Sequence, residues 1–79
     1  MKNKELSEIL SKVFPKAKIP KNIDNLKIGD FEEWDSIGSV NLILEIEKKY
    51  KIKFTTINFL EATSIKKIKN IISSKKKAY

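Results

Sequence analysis

The sequence predicts an all-α fold: a small bundle of three main helices plus one short helix, with a long ordered loop between helices one and two. Three observations carry this. Apolar residues recur at three- and four-residue spacings in separate stretches. Capping residues stand at the head of those stretches, and breakers or turn residues lie between them. No segment of any length alternates apolar and polar residues as a strand would, and there is no internal repeat.

The first helix is expected over 4–14. Leu6, Ile9, Leu10, Val13 and Phe14 fall on one stripe, Asn3 stands where a cap would, Glu8 and Lys12 have i, i+4 spacing, and Pro15 ends the run. Residues 15–34 read as irregular, punctuated by Pro15, Pro20 and Gly29. A loop this long in a small domain is either functional or tied down. Ile19, Ile23, Leu26, Ile28, Phe31 and Trp34 can pin it to a core. The second helix is expected over 36–50, with Asp35 as N-cap and Ser36 first inside. Gly38, Asn41, Glu45, Lys48 and Lys49 occupy one polar arc. Ile37, Val40, Leu42, Ile43, Leu44, Ile46 and Tyr50 spread over a wider arc than one packing face needs. A link at 51–54 leads to a short helix over 57–62, capped by Thr55 or Thr56. Ser64 caps a last helix over 65–73, with Ile65, Ile68, Ile71 and Ile72 opposite Lys66, Lys67 and Lys69. Residues 74–79 read as a frayed basic tail.

The chain of 79 residues, 41% apolar, is expected to form one domain over 1–79. It has no cysteine and no histidine. Packing alone must then hold the fold, and no thiolate or imidazole metal site is expected. The commonest general base and the strongest common nucleophile are also missing, which argues against a self-contained enzyme. No apolar run resembles a signal peptide or reaches the length of a membrane span, so a soluble cytoplasmic protein is expected.

The net charge of +7 points first to a polyanion. All 17 cations are lysine, however, and arginine is the preferred residue for phosphate and base contacts. With 13 isoleucines and 6 asparagines, the lysines match a compositional bias toward AT-rich codons. The stretch between Lys27 and Lys48 holds no cation and six of the ten acids: Asp30, Glu32, Glu33, Asp35, Glu45 and Glu47. A basic chain thus has an acidic middle.

In that middle lies Trp34-Asp35-Ser36-Ile37-Gly38-Ser39, a hydroxyl at the start of a helix directly after an acid. Alone, Asp-Ser says only that a helix begins. With the run Val40-Asn41-Leu42-Ile43-Leu44-Glu45-Ile46-Glu47, then Tyr50, Ile52, Phe54 and Thr63-Ser64-Ile65, the chain resembles the carrier-protein family, the acyl carrier proteins and their peptidyl, aminoacyl and D-alanyl relatives. The resemblance spans nearly the whole chain: helix, long loop, Asp-Ser, long helix, short helix, final helix.

The resemblance implies a non-catalytic carrier. Ser36 would bear a covalent 4′-phosphopantetheine taken from coenzyme A, with Asp35 beside it. The arm would shuttle thioester-linked acyl or aminoacyl intermediates between enzymes, in a specialised pathway or in lipid or fatty-acid biosynthesis. The implied partners are a phosphopantetheinyl transferase, an acyl- or aminoacyl-loading ligase or synthase, and an acyl transferase. No nucleic acid, no membrane insertion and a monomer are expected. The physics agrees: a chain without a thiol must import one, and an anionic phosphodiester suits a helix N-terminus.

The resemblance also implies that the second helix is the recognition surface. Ile37, Val40, Leu44 and Glu47 form a stripe below Ser36, with Glu32, Glu33 and Asp35 at its top. Without the resemblance, Val40 and Leu44 read equally as core. Val40, Ile43, Phe54, Ile57, Leu60, Ala62, Ile65 and Ile68 are the candidates for lining a sequestered acyl chain, against the plainer reading of a filled core.

The chain departs from fatty-acid carriers in its basicity and in having Gly38, Asn41, Lys48 and Lys49 where those carry acids, which brings it nearer D-alanyl and specialised carriers. Two other readings compete. One is a basic helical nucleic-acid-binding domain, weakened by the missing arginine and the acidic middle. The other is an interaction module with an unmodified Ser36.

Overall fold

The computed structural model describes residues 3–76. Among them are four helices and no strands: α1 (Asn3–Val13), α2 (Ser36–Tyr50), α3 (Thr56–Glu61) and α4 (Ile65–Lys76). The all-α expectation holds at this level. α1 packs on α2, and α3 on α4.

The stripe of α1 behaves as its spacing predicts. Leu6, Ile9, Leu10 and Phe14 are buried, and Val13 packs half-buried beside them. Each such side chain withdrawn from water is worth about 1.5–3 kcal/mol. Two local expectations fail because neighbouring elements compete for the same groups. Asn3 lies inside the helix and its amide donates to Asp24 Oδ1 (3.5 Å). Lys12 pairs with Glu45 of α2 (3.2 Å), a closer partner than Glu8 on its own helix.

The segment between α1 and α2 is held in three ways. Ile23 and Trp34 are buried, and Ala17, Ile19, Leu26, Ile28 and Phe31 pack against the core. Its backbone is stitched to the α3–α4 junction: the Ile28 N–H donates to the Thr63 carbonyl (2.8 Å) and the Ile65 N–H to the Leu26 carbonyl (2.9 Å), around an isolated antiparallel bridge between Lys27 and Ser64. Lys69 of α4 also pairs with Asp24. That contact holds the Asp24 carboxyl below its ordinary value, against the opposing effect of burial.

α2 ends at Lys51, whose left-handed backbone (φ 54°) lets its N–H reach the Glu47 carbonyl. In α3, Thr55 is the cap, in a reciprocal pair with Asn58. Ser64 caps α4 as expected, its Oγ accepting from the Lys67 N–H (3.2 Å). α4 buries Ile65, Ile68 and Ile72 and continues through Lys76, past the expected stop at 73. Ser73 and Ser74 are weak helix formers but not breakers, and cations at a helix C-terminus favour the dipole. Residues 74–76 of the expected frayed tail are therefore helical, and 77–79 lie outside the described residues.

Candidate functional site

The Trp34–Ser39 turn is built from the core outward. Gly29, at φ +93°, takes a conformation costly for other residues, and its N–H donates to the Trp34 carbonyl (2.9 Å). The Trp34 N–H in turn donates to the Phe31 carbonyl (3.0 Å). The Trp34 ring is fully buried, stacked on Phe14 at 5.9 Å and tilted against Phe31 at 6.3 Å. Its one polar atom, Nε1–H, donates to the buried Ser39 Oγ at 3.0 Å.

From this anchor the chain turns outward. Asp35 is extended, and its carboxylate accepts the Gly38 N–H at 2.8 Å, the N-cap expected from sequence. Ser36 follows as the first helical residue and is exposed, with no hydrogen bond to any described side chain. The N–H groups of Ser36 and Ile37 have no partner within the helix, as at any N-terminus.

Gly38 corrects the sequence reading. Helical spacing puts it on the polar arc of α2, but it is buried. A Cβ there would stand 2.1 Å from the Glu33 carbonyl oxygen and 3.0 Å from a Phe14 ring carbon. The glycine therefore admits the backbone of the protein's own loop against the helix.

The wide apolar arc of α2 divides. Leu42, Ile43, Ile46 and Tyr50 are buried, whereas Ile37, Val40 and Leu44 are 73%, 40% and 51% exposed. These last three follow Ser36 down one face at i, i+3, i+7 spacing, so the structure takes the surface alternative over the core one for Val40 and Leu44.

The acids fare unevenly. Glu32 is exposed and makes no ion pair or hydrogen bond with the described residues. Glu33 accepts the Lys16 N–H (3.1 Å) through Oε1. Glu47, half-buried, accepts the Phe54 N–H at 2.7 Å, so its carboxylate ties the α2–α3 link. A charge reversal at Glu47 would therefore disturb the fold as well as any docking. Glu45 is met by Lys12 and Lys48, and Asp30 by Lys27.

The eight candidate lining residues are not brought together. Ile43, Ala62, Ile65 and Ile68 are in the packed core, and Phe54 packs half-buried at its edge. Val40 is exposed, and Ile57 and Leu60 more so at 69% and 70%, so the eight do not enclose one cavity. α3 is too short to bury one face and keep these two side chains inward; none of its residues is buried.

At the far end of α2, Tyr50 donates to Glu5 (3.4 Å). Its phenol is pushed up to about 12, first by burial and then by the Glu5 carboxylate. No group of three or more acids among the described residues is placed to hold a metal ion. No described helix is long and apolar enough to cross a membrane. Comparison with family models, curated protein sequences and solved structures finds no match.

Proposed function

We propose that the protein is a carrier, with Ser36 the attachment point of a 4′-phosphopantetheine arm. One observation carries the reading: an exposed hydroxyl at the first position of a 15-residue helix, directly above a row of exposed apolar side chains. The motif and helix order that resemble carrier proteins agree with it.

The residues present suit the group. Ser36 has open space for a bulky substituent, and the unpaired N–H groups of Ser36 and Ile37 favour an anionic phosphodiester. The Asp35 carboxylate lies close by, but it is turned onto the Gly38 N–H and its charge is spread by that bond. The attached arm would supply the thiol the sequence lacks, holding an acyl or aminoacyl group as a thioester.

In the loading reaction, the Ser36 Oγ attacks the coenzyme A pyrophosphate at the phosphorus on the pantetheine side. An O–P bond forms. The bond to adenosine 3′,5′-bisphosphate breaks with its electron pair, and the serine proton passes to a base on the transferase. The protein's own part is to present the hydroxyl and to dock. Ile37, Val40 and Leu44 supply apolar contact area, and Glu32 a charge not already engaged. Ligases, synthases and acyl transferases would use the same face.

The test is labelling with a fluorescent coenzyme A conjugate and a promiscuous phosphopantetheinyl transferase. The proposal expects labelled wild type and unlabelled Ser36→Ala. Equal labelling of both, or of neither, contradicts it.

A further inference from the structure

We infer that Ser39 and Trp34 form a positioning pair for Ser36, an inference that rests on the carrier reading above. Trp34 stands two residues before Ser36 and Ser39 three after, so the Nε1–H to Oγ bond of 3.0 Å closes a ring across the attachment residue. A second tie crosses the same segment inside that ring, from the Gly38 N–H to Asp35. The Gly38–Glu33 contact closes the turn from the loop side. Capping the helix needs only Asp35. The buried indole–hydroxyl bond adds something else: it fixes the end of the loop, through a fully buried ring stacked on Phe14, to the first turn of α2.

The consequence falls on Ser36 because it lies at the tip of this ring. Loss of the Ser39 hydroxyl leaves a buried indole N–H without an acceptor, and the loop end must shift to find one. An attacking hydroxyl is sensitive to displacement of that order: about 1 Å can cost a hundredfold in rate. Val40 and Leu44, which lie beyond the ring on α2, keep their places for docking, so the effect should fall mainly on turnover and not on binding.

The experiment is steady-state kinetics of a phosphopantetheinyl transferase acting on wild type, Ser39→Ala, Ser39→Thr and Ile72→Val. The inference expects Ser39→Ala to lower kcat by about ten- to a hundredfold with KM within about twofold. Ser39→Thr, which keeps the hydroxyl, should recover most of the loss. Ile72→Val, a core change in α4 remote in sequence from the turn, shows what lost stability alone does and should keep wild-type kcat. A wild-type kcat for Ser39→Ala, an equal fall for Ile72→Val, or a loss confined to KM overturns the inference and leaves the carrier reading standing. An unmodified wild type overturns both. If Ser39→Ala does not fold, hydrogen exchange of the single tryptophan's indole proton in the wild type decides: slow exchange is expected, and exchange as fast as that of free indole refutes the bond.

Discussion

Replacing Gly38 with alanine sets two effects against each other, and the structure says which wins. Helix propensity favours alanine over glycine by about 1 kcal/mol inside a helix. Against that, the new methyl would lie 2.1 Å from the Glu33 carbonyl oxygen, more than an ångström inside ordinary contact. The obstacle is backbone, held in place by the buried Trp34 next to it, so it cannot swing aside as a side-chain tip would. Overpacking of this kind costs about 1–3 kcal/mol or more. An approach of 2.1 Å to backbone puts the cost at the upper end, about 2–3 kcal/mol, so the net expectation is a destabilisation of about 1–2 kcal/mol, or a fall in Tm of about 5–15 °C in a chain this size. Thermal unfolding followed by far-ultraviolet circular dichroism reads it. Asn41→Ala, an exposed interior position of the same helix, serves as the control and should gain about 0.5 kcal/mol. A Gly38→Ala protein that melts higher than wild type, as propensity alone requires, would refute the close approach of loop and helix.

Three other outcomes are expected. Asp35→Ala should lose about 1 kcal/mol by thermal unfolding, and Asp35→Asn should recover most of it, because the lost interaction is the cap on Gly38. Leu44→Ser should cost only about 1 kcal/mol of stability, since the side chain is half exposed, yet raise the transferase KM about fivefold; an unchanged KM would remove Leu44 from the docking surface. The phenol of Tyr50 is raised from 10.0 to about 12 in the folded protein, so its contribution to stability is complete below pH 10 and is lost as the pH climbs through 12. Absorbance titration of a Tyr79→Phe variant, with Tyr50 the remaining phenol, should show a midpoint near 12, and a midpoint near 10 contradicts the burial and the Glu5 contact.

What was legible in the sequence was local. The stripe of α1, the Asp35 cap, the Ser64 cap and the pinning of the loop by Ile23 and Trp34 all follow from side-chain pattern, and each is found. The excess apolar width of α2 was visible too, as a helix with more apolar surface than one face uses. Which residues faced out needed the neighbours: Leu42 and Ile46 went inward while Ile37, Val40 and Leu44 did not. The stitching of Leu26 and Ile28 to Thr63 and Ile65 was not legible, because backbone hydrogen bonds between distant segments leave no side-chain signature. Gly38 was misplaced for a related reason. A helical wheel ranks glycine as merely non-apolar, whereas here its missing side chain is what the loop backbone occupies. Glu47 reads as a surface charge and is a backbone acceptor, and Ser39, which the side-chain pattern gives no role, is the acceptor of a buried indole. A tryptophan just before a cap, with a hydroxyl five residues on, was the one signal that could have revealed that last contact.

Attachment of a phosphopantetheine to Ser36 would be read from the intact mass of the protein. Wild type and Ser36→Ala are incubated with coenzyme A and a promiscuous phosphopantetheinyl transferase, and each is weighed by mass spectrometry. Wild type should gain one phosphopantetheine, localised to the peptide containing Ser36, and Ser36→Ala should gain none. A wild-type mass that does not change, or a gain that persists in Ser36→Ala, contradicts attachment at Ser36.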